Sequence, residues 1–179
     1  MSDQTKTAVF GGGCFWCTEA VFARLKGVRS VEPGYSGGNV DNPNYEVVST
    51  GRSGHAEVIK VEYDPEVISY DDLLTVFFFE HDPTTLNRQG EDVGTQYRSV
   101  ILYSDEEQKA RAEKFVFSLK ESGAYDQPIV TEILPLEKFH KAEMYHKDYY
   151  DKNREVAYCE LVITPKVEKL EKRFAELIK

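Results

Sequence analysis

The chain has 179 residues, 41% hydrophobic and 30% charged, with a formal net charge of -9, a size that suits one domain over 1–179, stable without disulfides or a structural metal. The acidic balance argues against a nucleic-acid or anionic-membrane partner, no apolar stretch reaches the length of a membrane span, and Met1-Ser2-Asp3-Gln4-Thr5-Lys6 lacks the basic and apolar segments of a signal peptide. Three cysteines give no paired disulfide framework and fit functional thiols in a reducing, cytoplasmic setting.

In chain order, an apolar run predicts a strand over 5–10, followed by Gly11, Gly12 and Gly13, then Cys14-Phe15-Trp16-Cys17 and a helix over 15–26 with Val21, Phe22, Leu25 and the following Val28 on one face. Residues 33–45 are dense in turn formers and read as a loop. A strand over 55–63 closes at Asp64-Pro65. Ser69 and Asp72 make a capping box for a helix over 71–80, which Asp82-Pro83 ends. The polar stretch 84–96 is long for a loop in a compact domain, and such loops are often functional. A strand over 97–103 leads to a second capping box, Ser104 with Glu107, and a helix that stops near Ser122-Gly123. A strand over 129–134, a helix over 137–152, an extended run over 156–163 and a charged helix over 166–179 complete the chain. Strands separated by helices imply an α/β or α+β sandwich.

Cys14 stands at a glycine-loosened junction of strand and helix, where unpaired backbone N–H groups and the helix dipole favour a thiolate. In the strand at 55–63, alternation puts Glu57, Ile59, Val61 and Tyr63 on one face. A carboxyl buried there has a raised pKa and acts as an acid near neutrality. One that reaches water at the sheet end does not, and alternation leaves both readings open. Tyr45 and Tyr97 border polar loops, where a phenol can donate to a substrate oxygen or simply edge the core. Asp92 by itself reads as a turn residue. Phe15 and Trp16, beside Cys14, either cover a small apolar substrate group or pack inward. A zinc site would need two more ligands than Cys14 and Cys17 supply, and no second ligand pair is evident.

Gly12-Gly13-Cys14-Phe15-Trp16 resembles the GCFW signature of the peptide methionine sulfoxide reductase A family. Further family-like motifs follow in order: Gly34-Tyr35-Ser36-Gly37-Gly38, Asn42-Pro43-Asn44-Tyr45, Gly54-His55-Ala56-Glu57, His81-Asp82-Pro83-Thr84, Asn87-Arg88-Gln89-Gly90 with Asp92, and Gly94-Thr95-Gln96-Tyr97-Arg98-Ser99. The resemblance covers roughly residues 8 to 165. It implies an α+β fold, a two-layer sandwich with a ferredoxin-like core and an irregular C-terminal segment. It implies reduction of the S epimer of methionine sulfoxide, free or in proteins, with Cys14 as nucleophile. Glu57 would protonate or hydrogen-bond the sulfoxide oxygen, Tyr45 and Tyr97 would hold it, and Asp92 would organise the site. Phe15 and Trp16 would form the pocket for the methyl group. No bound cofactor or metal is needed. The sulfenic acid left on Cys14 condenses with a second thiol, and thioredoxin, or dithiothreitol in vitro, restores the protein.

Both Cys17 and Cys159 are candidates for the resolving thiol. Positions 14 and 17 share a helix face, so a modest adjustment of the first turn joins them. Cys159 needs the C-terminal segment to lie over the site, and serves as a second relay thiol or is inert. Cys17 is the favoured first resolver. A thioredoxin-like C-x-x-C disulfide oxidoreductase and a zinc-dependent interaction module are the rival readings, and nothing in the sequence demands more than a monomer.

Overall fold

The structure, a computed structural model, describes residues 4–179; Met1-Ser2-Asp3 of the N-terminal stretch lie outside it. Eight strands occur among the described residues: β1 (Lys6–Gly11), β2 (Val28–Ser36), β3 (Ala56–Tyr63), β4 (Arg88–Gln89), β5 (Asp92–Val93), β6 (Val100–Tyr103), β7 (Glu132–Pro135) and β8 (Phe139–Lys141). Six form one mixed sheet in the order β7-β6-β1-β3-β2-β8, in which only β6 and β7 run parallel, while β4 and β5 pair as a small hairpin. The helices are α1 (Phe15–Phe22), α2 (Tyr45–Ser49), α3 (Tyr70–Glu80), α4 (Glu106–Ser122), α5 (Tyr149–Lys152) and α6 (Thr164–Arg173). None is long and apolar enough to cross a membrane.

Alternation along the central strands builds an α+β arrangement. Ala8 and Phe10 of β1 and Ile59, Val61 and Tyr63 of β3 join one core with Phe22 of α1 and Leu73 and Phe77 of α3. Val9 and Val58 point the other way, into a smaller cluster with Val100 and Leu102. Phe10 is the hub of the main core: its ring stacks on Phe22 at 5.5 Å and on Phe77 at 5.0 Å between centroids. Truncating such a fully buried ring to alanine costs ~3–5 kcal/mol. The register sets Phe10 opposite Ile59 and Tyr35 opposite Glu57, so Glu57 shares its face with the main core.

The capping box at Ser69 and Asp72 forms as the sequence predicts, with both reciprocal bonds present. At α4 the cap lies one residue later. Asp105 accepts from the Gln108 amide at 2.8 Å, and the Gln108 side chain accepts from the Ser104 amide at 2.8 Å. Gly123 ends the helix in the left-handed region, φ 69°.

Several elements differ from expectation. Residues 28–36 form a strand although Pro33-Gly34 reads as a turn. Gly34 is needed there because a Cβ would have no room against the Phe139 ring and the His140 carbonyl of β8. The first helix stops at Phe22, and Tyr97 belongs to a 3-10 turn before β6. Residues 137–152 are not one helix: Phe139–Lys141 extends the sheet, and Asp148 breaks the chain at φ 55°, its amide donating to Glu19 Oε2 at 2.9 Å. The run 156–163 is helical from 157 and continues through α6 to 173, with a π-helical turn over Cys159–Ile163. Its buried residues Cys159, Ile163, Val167 and Leu170 are spaced at helical, not strand, intervals. The C-terminal segment is therefore irregular only in part. α6 ends at Arg173, and the chain returns to the turn after α1, where the Lys26 amide donates to the Leu177 carbonyl at 2.7 Å.

Candidate active site

β1 delivers the chain to α1 through three glycines that the packing requires. A Cβ on Gly12 would meet the His81 and Phe77 rings at 3.0–3.1 Å, and Gly13 has φ +90°. Cys14 is then the N-cap of α1, in extended conformation, and its carbonyl accepts from the Cys17 amide at 3.1 Å and from Thr18 Oγ1 at 3.2 Å. The Phe15 amide, the first free donor of the helix, goes to Glu57 Oε1 at 3.1 Å. The helix N-terminus thus binds the carboxyl more than the thiol.

This changes the expected state of Cys14. The residue keeps part of its surface open, and the Trp16 amide favours its thiolate. Burial of the thiol, the hydrogen bond to Cys17 and the charge of Glu57 outweigh that and push its pKa well above the usual thiol value. Cys17, 1% exposed, moves the opposite way, to about 7. It is stabilised as thiolate first by the hydrogen bond from Cys14, then by Lys166 and by Tyr158 Oη, which lies 3.5 Å from its sulfur. The two thiols act as a pair that gives up one proton near neutrality.

Glu57 does not reach water. It is 2% exposed, and burial, opposed by the single Phe15 N–H bond, raises its pKa to about 8. A neutral carboxylic acid therefore faces Cys14 at neutral pH. Tyr45, at the start of α2, and Tyr97 both feel Glu57, Cys14 and Asp92, so the structure brings the five residues expected to be catalytic near one another. Burial is the main cause that raises both phenols, which stay protonated donors. Asp92, on β5, accepts from Tyr158 Oη at 2.8 Å and so ties the hairpin to the C-terminal helix and to Cys17.

Phe15 packs inward, its ring 5.7 Å from Tyr35 and 4.9 Å from His146 between centroids. Trp16 is half-buried, stacked on Tyr149 at 3.7 Å with its indole N–H donating to His146 Nδ1 at 3.0 Å. Since an indole only donates, the buried imidazole keeps Nδ1 unprotonated, and burial holds its pKa down. Cys159 is buried beside Cys17 in a small cluster with Ala20, Ile163 and Val167, and burial raises its thiol.

Sequence reasoning missed four supporting residues. Tyr35 Oη donates to Glu143 Oε1 at 2.9 Å, and the Tyr45 amide donates to Glu143 Oε2 at 2.9 Å. Glu143 thereby fixes Tyr45 beside the site. His146 and Tyr158 brace Trp16 and Asp92. Tyr35 lies in the Gly34-Tyr35-Ser36-Gly37-Gly38 motif; for the other three the only signal was the density of aromatic and acidic residues over 139–158, where no single position stood out.

A helix-capping cysteine, a second thiol one turn on, a neutral buried acid and two protonated phenols define a thiol-based oxidoreductase. The model of the family "Peptide methionine sulfoxide reductase" matches residues 6–178. The chain is 56% identical over 171 residues to "Peptide methionine sulfoxide reductase MsrA" of Sulfolobus acidocaldarius, covering 96% of each chain. It is 59% identical over 162 residues to the protein of that name from Nautilia profundicola, covering 90% of this chain and 92% of that one. The crystal structure of Mxr1 from Saccharomyces cerevisiae in reduced form superimposes with a TM-score of 0.80 at 32% identity, covering 89% of this chain and 91% of that one. The chain belongs to the peptide methionine sulfoxide reductase family and is an enzyme, an oxidoreductase.

Proposed function

We propose that this protein reduces the S epimer of methionine sulfoxide, free or in proteins, at Cys14. The observation that carries the reading is a carboxylic acid held neutral beside a thiol, because a sulfoxide sulfur is a poor electrophile until its oxygen is protonated or strongly hydrogen-bonded. Glu57 supplies that proton, Tyr45 and Tyr97 hold the oxygen, and Asp92 keeps the 88–97 segment in place. The methyl group lies on Trp16, with Phe15 as the floor beneath. Cys14 attacks sulfur as its own proton passes to Cys17; the new S–S bond and the substrate S–O bond then break as the protonated oxygen bonds to the Cys14 sulfur, and methionine leaves with sulfur reduced. Cys17 then hands that proton on to Glu57, which becomes neutral again as Cys17 becomes a thiolate. Methyl, oxygen and attacking sulfur then have fixed directions around a pyramidal sulfur, which admits one configuration.

The resulting sulfenic acid condenses with Cys17, with Cys159 next in line behind it. Thioredoxin, or dithiothreitol in vitro, returns the disulfide to thiols by exchange; yeast Mxr1 is also solved in complex with Trx2. No bound cofactor enters this scheme. A bare disulfide oxidoreductase would leave Glu57, Tyr45 and Tyr97 without a task. The fold reading that goes with it is a single catalytic domain with a ferredoxin-like core in two layers. It is supported by the antiparallel order β6-β1-β3-β2, with α1 after β1 and α3 after β3. We place the protein as a monomer in the cytoplasm, where its three free thiols stay reduced.

Turnover of separate S and R epimers with dithiothreitol tests the proposal. Activity on S alone, lost in Cys14→Ser, supports it. Equal turnover of both epimers, or activity that survives in Cys14→Ser, contradicts it.

A further inference from the structure

The helical stripe that buries Cys159, Ile163, Val167 and Leu170 against α1 contains a lysine. Lys166 lies three residues after Ile163 and four before Leu170, so it shares their inward side. A residue there is ordinarily apolar, since an ammonium leaves water only at a cost. What it meets is the junction of α1, α3 and α6. On α1 stands Cys17. At the C-terminal end of α3 stands Glu80, 6% exposed, whose two carboxyl oxygens have no hydrogen-bond partner among the described residues. Glu80 and Lys166 line one cleft of about 770 Å³ together with His81, Asp82, Gln89 and Lys169.

We propose that Lys166 is a positioning residue for the resolving step: it is the counter-ion of the Cys17 thiolate in the reduced protein and of the Glu80 carboxylate once the Cys14–Cys17 disulfide has formed. The proposal rests on the reading of Cys17 as first resolver. Lys166 is hydrogen-bonded to neither group, so its ammonium is not committed to one partner. The other groups that act on it are Cys14 and Asp92. Those that act on Cys17 are Cys14, Tyr158 and Asp92, while Glu57 and Cys159 in turn feel the Cys17 charge. His81, between Glu80 and the sheet, is held neutral: its pKa falls to about 4 through burial. In the reduced protein burial keeps Glu80 protonated, with a pKa of about 8, despite Lys166.

The chemistry balances. The Cys17 thiolate attacks the sulfur of the Cys14 sulfenic acid, an S–S bond forms, and the S–O bond breaks. The oxygen leaves as hydroxide and becomes water with one proton. Cys17 has then lost its charge, Lys166 faces no thiolate, and Glu80 ionises to supply that proton. Reduction by an external dithiol reverses the exchange: Cys17 leaves as thiolate and Glu80 takes a proton back.

A protein carrying Cys14→Ser and Cys159→Ser keeps Cys17 as its only thiol, with a hydroxyl donor still at position 14. Titration of its thiolate ultraviolet absorbance gives the Cys17 transition directly. Adding Lys166→Met lowers the thiolate-to-thiol ratio at neutral pH by about tenfold, the equivalent of one pKa unit, and Lys166→Arg restores it. A Lys166→Met protein that titrates like its parent overturns the proposal. For the second half, oxidised-minus-reduced infrared spectra of a protein carrying Cys159→Ser and Glu57→Gln, which removes the other neutral acid that feels Cys17, show loss of a protonated-carboxyl band on oxidation, absent when Glu80→Gln or Lys166→Met is added. A band that persists in Glu80→Gln overturns the charge exchange. Full thioredoxin-dependent turnover in Cys17→Ser removes the resolving reading separately, even where the thiolate titration stands.

Discussion

Glu57 and Glu143 are two carboxylates on opposite sides of one site, and they hold charge in opposite ways. Glu57 sits on a regular strand, sealed from water, with one backbone donor, so desolvation wins and its pKa rises to about 8. Glu143 sits in an irregular segment, with the Tyr35 hydroxyl and the Tyr45 amide each on its own oxygen. Burial raises its pKa, but those donors, its own backbone amide and the charge of His146 together outweigh it and hold the pKa below the usual carboxylate range. Depth of burial and the number of donors together therefore decide which becomes an acid and which an anchor. The rigid sheet supplies the reacting group, and the C-terminal segment supplies the charge that fixes its neighbours.

The comparison breaks most visibly at Glu57. Glu57→Gln keeps a hydrogen-bond donor but cannot release a proton, so kcat/KM for the sulfoxide is expected to fall on the order of 10²–10⁴-fold, measured by methionine formation with dithiothreitol. The same substitution affects stability with a definite sign. A buried carboxyl whose folded pKa lies above its unfolded value binds more protons folded than unfolded, so it costs stability as pH rises from about 4.5 to about 8. Glu57→Gln should raise Tm more at pH 8 than at pH 5, and an equal change at both would show that Glu57 is not buried neutral.

The next effect separates the two sides. Gly34→Ala forces β8 away from β2, because the carbonyl of His140 lies 2.6 Å from where the Cβ would be. The expected cost is ~1–3 kcal/mol in denaturant unfolding, as for other overpacked positions. The substituted site lies on the Glu143 side, so activity should fall through looser placement of Tyr45 while Glu57 stays buried. The smallest effect is at the anchor itself. Glu143→Gln leaves one of two donors facing an amide N–H, a loss of ~1–3 kcal/mol for the orphaned group when buried, reduced here by partial exposure. We expect about a tenfold rise in KM, with the pH profile of kcat unmoved.

These two sides also differ in how far the sequence discloses them. Alternation over 55–63 places Glu57 on the apolar face, and the glycine run before Cys14 places the nucleophile at a helix start; both follow from local periodicity. Whether Glu57 reaches water depends on α1 closing over it, which no local pattern records. The stretch 137–152 is rich in helix formers, yet the sheet edge takes 139–141 and Glu19 captures the amide of Asp148, so tertiary bonds override propensity. The run from Tyr158 to Ile163 is apolar enough to read as a strand; its helical spacing emerges only when Val167 and Leu170 are included. The raised pKa of Cys14 was beyond sequence reasoning as well, since it follows first from burial of the thiol in the assembled site, then from its bond to Cys17 and the charge of Glu57.

The most direct test of the central claim, a neutral Glu57 that protonates the sulfoxide oxygen, is the pH dependence of kcat/KM in the wild type and in Glu57→Gln. The wild type should lose activity as pH rises through about 8, where Glu57 ionises, and the variant should lack that limb altogether. An identical alkaline limb in both proteins would show that Glu57 is not the acid.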